Sequence, residues 1–199
     1  MEEFCNAVKL RGTLAGRPVF SHNSKSEEFY TFPLEIVRLS GNADIINIVI
    51  SRKLLDTTEI GDGDFVEVEG ELRSYNNKSG EGRKLVISVF AKKLAVTNGE
   101  DENCVILQGA ICKEPTLRRT PMGRQICDMM LAVNRRYGKS DYLPCIAWGQ
   151  TAFEASELCV GDKVHIEGRI QSRKYIKNEN GESSERTAYE VSTVTMKKL

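Results

Sequence analysis

From Arg118 to Lys177 the chain interleaves the rings of Tyr137, Tyr142, Trp148 and Tyr175 with ten of the eleven Lys and Arg residues of that stretch. These are Arg118, Arg119, Arg124, Arg135, Arg136, Lys139, Arg169, Arg173, Lys174 and Lys177. Rings offer π-faces on which other flat groups stack, and guanidinium and ammonium groups pair with phosphate oxygens. Together they suit a ligand built as a string of flat, charged units. Arg169, Gln171 and Arg173 alternate along one stretch and would share a face of a strand, and the run into Tyr175 brings cation and ring together. Not every ring fits this role equally. A lone Trp in a small domain is core about as often as platform, since Trp is highly buried on average. Tyr137 and Tyr142 flank the polar stretch 136–141, where an exposed ring has no reason of packing to sit. Tyr189, beside Glu190 and Val191, reads as packing, and Lys197 and Lys198 read as solubilising charge.

Other chemistries lack their residues. Only His22 and His165 are present, in separate halves, so no nucleophilic triad forms, and no glycine loop for a nucleoside triphosphate is found. Carboxylates such as Asp44 and Asp62 are scattered and are expected in turns. A nuclease needs clustered carboxylates and Mg²⁺. The six cysteines, at 5, 104, 112, 127, 145 and 159, include no C-x-x-C pair. Metal binding is not expected. Cys127 and Cys145 lie in strand-like segments and are expected as reduced core thiols. The expectation is a binding protein, with no catalytic residue, no metal and no cofactor.

What positions the rings is a duplicated unit. At an offset of 97, Asn6, Val8, Leu10, Gly12, Leu14 and Pro18 fall on Asn103, Val105, Leu107, Gly109, Ile111 and Pro115. Leu34, Ile36, Arg38 and Asp44 then fall on Leu131, Val133, Arg135 and Asp141. After a one-residue insertion, Gly63 to Gly70 matches Gly161 to Gly168, and Lys92-Lys93-Leu94 matches Lys197-Lys198-Leu199. A period near 100 residues is too long for a solenoid and fits a self-sufficient domain. The expected division is 1–97, a polar linker 98–102, and 103–199.

Within each copy, Val8 to Arg11, Phe65 to Leu72 and Val164 to Ile170 alternate in period two, the mark of half-buried strands. Gly, Asn and Pro clusters at 76–80, 120–123 and 178–181 read as hairpin turns. One helix-like segment precedes each Gly-Asp turn, Ser51 to Ile60 and Gln150 to Leu158. In the second, Thr151 would cap while Phe153 and Leu158 face inward.

Composition is that of an ordinary globular chain, 40% hydrophobic and 28% charged over 199 residues. No run of 18 apolar residues and no basic-then-apolar leader at Met1 to Phe4 is seen, so membrane insertion and secretion are not expected. A cytoplasmic, nucleoid-associated location is. The net charge is zero but unevenly divided: residues 1–98 carry 13 basic and 14 acidic side chains, a net of −1, whereas 103–199 carry 15 and 11, a net of +4. The positive field belongs to the second copy.

Five strands with a helix between the third and fourth is the plan of the OB-fold, a five-stranded Greek-key barrel. The class expected is all-β, with two tandem OB-folds each carrying one short helix. Residues 103–199 resemble the bacterial single-stranded DNA-binding proteins in motifs that run in the family's order. These are Asn103 to Pro115, Leu131-Ala132-Val133-Asn134-Arg135, Pro144 to Ala152, Gly161 to Tyr175, and Tyr189-Glu190-Val191. Residues 6–96 resemble the same family more distantly. The resemblance implies sequence-nonspecific binding of single-stranded DNA, in replication, recombination or repair. It also implies that Tyr137, Tyr142, Trp148 and Tyr175 occupy the base-stacking positions.

The first copy departs from that pattern, because Ser40, Ile45 and Ser51 overlay Tyr137, Tyr142 and Trp148. Tyr75 remains as a candidate fourth ring, whereas Phe29, Tyr30 and Phe32 are not expected to replace the lost ones, Phe32, over Met129, being expected in the core. The first copy is therefore expected to be structural or auxiliary. Members of the resembled family usually end in an acidic tail that recruits replication enzymes, whereas this sequence stops at Met196-Lys197-Lys198-Leu199, so that recruitment is not expected. The resemblance also implies a homodimer, which reaches the family's usual four OB-folds. The competing reading is a protein-interaction module, a primosome-like accessory pair of OB-folds with weak nucleic-acid binding. The ring set separates the two, since a pure interaction module has no need of it.

Overall fold

The computed structural model describes residues 5–77, 85–179 and 182–199, at 177–179 and 182 for the backbone alone. The start of the chain, Met1 to Phe4, lies outside them, as do the tips of two expected hairpin turns, at Lys78 to Gly80 and at Asn180 and Gly181.

Alternating apolar residues produce eleven strands among the described residues. The first copy supplies β1 (Asn6–Leu14), β2 (Val19–Ser24), β3 (Glu27–Val37), β4 (Ala43–Ser51), β5 (Phe65–Asn76) and β6 (Leu85–Val96). The second supplies β7 (Glu102–Arg119), β8 (Gln125–Asn134), β9 (Ser140–Trp148), β10 (Lys163–Glu179) and β11 (Glu182–Lys198). Strand order closes two barrels, β1-β5-β6-β4-β3 and β7-β8-β9-β11-β10, each returning to its first strand. These are the two tandem OB-folds, with β6 parallel to β4 and β11 parallel to β9. The first has a sixth strand because the chain breaks at Ala15 to Pro18. Its counterpart β7 bends through bulges near Lys113 instead and stays whole.

The core of each barrel is the inward half of these alternations. Leu10, Phe32, Leu34, Ile48, Val68 and Leu72 fill the first, and Leu107, Leu131, Leu143, Val164, Ile166 and Ile170 the second, all at 1% exposure or less. Burial of side chains of this size contributes about 1.5–3 kcal/mol each. Cys127 and Cys145 are buried there as expected, and all six cysteines carry reduced thiols. Gly12 and Gly109, matched in the overlay, pass so close to the backbone oxygens of Glu35 and Ala132 that a Cβ would collide with them.

The helices are shorter than the sequence implied. The first, α1 (Arg52–Leu55), is capped by the Ser51 hydroxyl, which accepts from the Leu54 N–H at 3.3 Å. The second, α2 (Gln150–Ser156), starts after Gly149, which takes φ +58°, and no side chain caps it. Thr151 is thus inside the helix. Ala152 and Ala155 face the core with Leu158, while Phe153 is exposed.

The two folds join by antiparallel pairing of β1 with β7. Val8 sits opposite Val105, Asn6 opposite Leu107 and Leu10 opposite Asn103. Since Val8 and Val105 are equivalent in the repeat, a pseudo-twofold axis runs between them. Asn6 and Asn103 act alike on either side: the Asn6 side chain exchanges two hydrogen bonds with the Leu72 backbone, both 2.8 Å, and Asn103 does so with Ile170 at 2.7 and 3.0 Å. An ion network of Lys9, Arg11, Glu67 and Glu102 spans the joint, with Arg11 Nε donating to Glu102 at 2.8 Å.

Candidate nucleic-acid interface

In the second fold, β7, β8, β9, β10 and β11 enclose one side of a groove of about 910 Å³. Trp148, the last residue of β9, lies half-buried in it. Its indole N–H donates to the Ser192 hydroxyl on β11 at 3.1 Å, which fixes the ring's orientation in the groove. Arg118, Arg124, Arg169 and Arg173 line the same groove. The period of two on β10 puts Arg169, Gln171 and Arg173 on one face, as the sequence indicated. Gln171 is buried between the arginines, held by Glu190 Oε1 at 2.9 Å. Beyond the groove, the Arg173 guanidinium carbon lies 5.9 Å from the Tyr175 ring centroid, so cation and ring form one element.

Other expected residues lie outside the groove. Tyr142 shares the face of β9 that carries Trp148 but sits six residues earlier, about 20 Å away at the rise of a strand. It is 48% exposed. Tyr137, 94% exposed, stands with Arg136 and Lys139 on the tight turn between β8 and β9, which the Arg135 N–H to Lys139 carbonyl bond closes at 2.7 Å. Arg119 is exposed at the end of β7. Lys174 points from the opposite face of β10 and pairs with Glu185 at 2.9 Å. Tyr189 packs against the core. The side chain of Lys177 lies outside the described residues.

Two expectations need correction. Arg135 is not available as a phosphate ligand, because Asp141 binds its guanidinium at two oxygens, 2.5 and 2.7 Å, and the Ser74 carbonyl takes a third contact at 3.4 Å. The carboxylate holds Arg135 above the usual arginine range, through its hydrogen bond and its charge. Asp44 is not a turn residue. It is fully buried at the start of β4, gripping Arg38 and accepting from the Ser172 N–H at 2.7 Å. Asp141 is its twin, accepting from the Ser74 N–H at 2.6 Å.

That reciprocal contact supplies a residue the sequence reading missed. Arg38 belongs to the first fold but lines the groove of the second, its guanidinium held by Asp44 as that of Arg135 is by Asp141, so it shapes the groove wall more than it adds free charge. The signal was present in the overlay, where Arg38 and Asp44 match Arg135 and Asp141, but which fold each arginine serves depends on the pseudo-twofold joint. Arg118 is partly compensated by Asp128, which pairs with its guanidinium. Groove charge thus rests most on Arg124, Arg169 and Arg173, for which no partner acid appears at hydrogen-bond distance among the described residues. Among those residues, no three His, Cys, Asp or Glu side chains gather where they could hold a metal ion. Nor is any helix there long and apolar enough to cross a membrane.

A barrel of five strands with a cation-lined aromatic groove defines a class, the OB-fold proteins that hold extended ligands across a sheet face. Residues 102–199 match the model of the single-strand binding protein family. Single-stranded DNA-binding protein B of Bacillus subtilis is 38% identical over 86 residues, covering 40% of this chain and 75% of that protein. Single-stranded DNA-binding protein 2 of Listeria innocua is 36% identical over 80 residues, 37% of this chain and 50% of that protein. For most of these curated relatives the match spans about half their length. The crystal structure of the wild-type single-stranded DNA binding protein from Thermus aquaticus superposes with a TM-score of 0.80 at 24% identity, over 98% of this chain and 93% of that one. The fold is therefore that of a tandem OB pair, and the chain belongs to the single-strand binding protein family.

Proposed function

We propose that this chain is a sequence-nonspecific single-stranded DNA-binding protein that coats and protects unwound strands in replication, recombination or repair, without chemistry of its own. The observation that carries this reading is the groove in which Trp148, fixed by Ser192, stands among Arg124, Arg169 and Arg173. Every base has a π-face and every nucleotide a charge, so rings and arginines bind a strand whatever its sequence. Trp148 and Tyr175 are the stacking platforms. Tyr142 and Tyr137 extend the track along β9 and its turn, and Arg118, Arg119, Arg136, Lys139 and Lys174 supply outlying charge. The names of the curated relatives support the substrate.

The folds correspond to residues 1–97 and 103–199, joined at 98–102, and two chains associate as a homodimer carrying four OB-folds, in the cytoplasm with the nucleoid. Linking grooves raises the effective concentration of each for a strand already held by another. Light scattering should give a mass near twice 22.3 kDa, and a monomer that binds DNA tightly would overturn this part.

The central test uses Trp148, the chain's single tryptophan. Titration with oligo-dT should quench its emission, and rising salt should reverse the effect. Unchanged emission together with no binding by fluorescence anisotropy of a labelled oligonucleotide would overturn the proposal.

A further inference from the structure

The first fold has its own groove on the pseudo-symmetric side of the joint, about 780 Å³ in volume and lined by His22, Phe29, Arg73, Tyr75, Phe90 and Arg135 among others. The overlay had removed its stacking residues, yet the groove is more aromatic than that of the second fold. His22 stacks on Phe29, with ring centroids 5.1 Å apart and planes at 13°. Phe29 meets Phe90 at 5.8 Å, and the Arg73 guanidinium carbon lies 5.0 Å from the Phe90 centroid.

Strand register shows where these rings came from. Parallel pairing sets Val49 opposite Phe90 in the first fold and Ile146 opposite Ser192 in the second. Val49 and Ile146 are equivalent at the 97-residue offset, so Phe90 occupies the position of Ser192. Ser51 in turn occupies the position of Trp148. The second fold thus has a ring on its fourth-strand equivalent β9 and a serine on β11, while the first has the serine on β4 and the ring on β6. The groove keeps a ring and changes the strand that carries it.

A second displacement lies along β5. The second fold reads Gln171, Arg173, Tyr175 on one face of β10, and the equivalent positions in the first are Arg73 and Tyr75 on β5 and Asn77 just past its end. Cation and ring have both moved two residues earlier, which in a strand leaves them on the same face. Tyr75 is 58% exposed, as a platform for a ligand must be and a core tyrosine need not.

We infer that the first fold carries a second base-stacking groove, in which Phe90 and Tyr75 replace the rings lost at Ser51 and Asn77, so that one chain holds single-stranded DNA at two sites. This rests on the single-strand binding proposed above. The two grooves differ in how they hold a strand. Arg73 is engaged by Glu71 at 2.6 Å and Arg135 by Asp141, which leaves Lys25 as the groove's uncompensated cation among the described residues, so the first groove relies more on stacking than the second, where Arg124, Arg169 and Arg173 add charge.

The test is photocrosslinking of the intact chain to oligo-dT substituted with 5-iododeoxyuridine, with the attached residues mapped by mass spectrometry. Crosslinks are expected in both grooves, at Tyr75 or Phe90 and at Trp148 or Tyr175. Tyr75→Ala, at an exposed position that does not threaten folding, should weaken binding of a long oligo-dT by about tenfold while leaving the salt dependence unchanged. Crosslinks confined to the second groove, with Tyr75→Ala binding as the wild type does, would overturn the inference and leave the proposed function standing. Absence of binding altogether would overturn both.

Discussion

Asp44 of the first fold accepts hydrogen bonds from the backbone N–H of Ser172 at 2.7 Å and from its hydroxyl at 3.2 Å, although 128 residues separate them. The Ser172 hydroxyl also accepts from the Ile45 N–H at 3.3 Å. Across the pseudo-twofold axis Asp141 takes the Ser74 N–H, and the Ser74 hydroxyl takes the Tyr142 N–H at 2.7 Å. Both carboxylates are fully buried and each is neutralised by its own arginine. The joint is therefore a self-complementary interface of the kind a symmetric dimer makes, enclosed within one chain.

Removing one of these acids should loosen the joint. In Asp44→Ala, Arg38 keeps its charge beside a buried site and Ser172 loses its acceptor, which should destabilise the protein by about 3 kcal/mol, the lower range for breaking a buried pair. Asp141→Ala should cost a similar amount. Urea unfolding followed by circular dichroism gives the value, and a change below about 0.5 kcal/mol, the scatter of ordinary surface substitutions, would show that the pair contributes little.

Cutting the chain in the 98–102 segment should produce fragments that find symmetric partners. Without β1, the fragment 103–199 exposes β7 as an open edge, a template for further pairing. The antiparallel register centred on Val8 and Val105 allows a second copy of β7 to take its place, Val105 against Val105. Size-exclusion chromatography with light scattering should find this fragment as a dimer. It should still bind oligo-dT, since Arg135 of the second copy of the fragment, equivalent to Arg38 at the 97-residue offset, would then line the groove. A monomeric fragment with full affinity would assign the joint no part in building the groove.

Much of this architecture was legible in the sequence. The 97-residue repeat required two copies of one unit, and the period-two stretches located the strands. Asn6 and Asn103 stood out as matched polar residues whose role, tying β1 to β5 and β7 to β10, needed the strand order. What pattern could not convey was pairing between copies. Asp44 looked like one of several scattered turn acids, and only β1–β7 pairing brings Ser172 to it. Arg135 looked like a groove cation for the same reason. The rings of the first groove were missed because an overlay compares equivalent positions, whereas bulk had passed between neighbouring strands, from the place of Trp148 to that of Ser192.

Thiol reactivity should follow burial. Cys159 is exposed in the loop after α2, whereas Cys145 is enclosed and its thiol pushed up to about 12 by loss of solvation. The thiolate is the nucleophile, so at pH 8 iodoacetamide should label Cys159 within minutes and spare Cys145 until the protein unfolds. Peptide mass mapping over time provides the order. Labelling of Cys145 in step with Cys159 would mean that the second barrel opens readily.

Arginines in and out of the groove should separate by the kind of defect they cause. Arg173 lines the groove beside the Tyr175 ring and pairs with no acid among the described residues at hydrogen-bond distance, so Arg173→Gln should remove one phosphate contact. The slope of log affinity against log salt should then fall by about 0.7, the value for one contact on a single strand. Its stability should stay near that of the wild type. Arg135→Gln should do the reverse, because its guanidinium is bound by the buried Asp141 and by the Ser74 carbonyl. That variant should lower the urea midpoint and leave the salt slope unaltered wherever it remains folded. Trp148→Ala completes the set, with an expected loss of about 1–3 kcal/mol of binding and an unchanged slope, since a ring contributes stacking and no counterion release. Fluorescence anisotropy of labelled oligo-dT at four salt concentrations measures all three variants. A reduced slope for Arg135→Gln, or none for Arg173→Gln, would mean that the strand follows the joint between the folds rather than the groove beside Trp148.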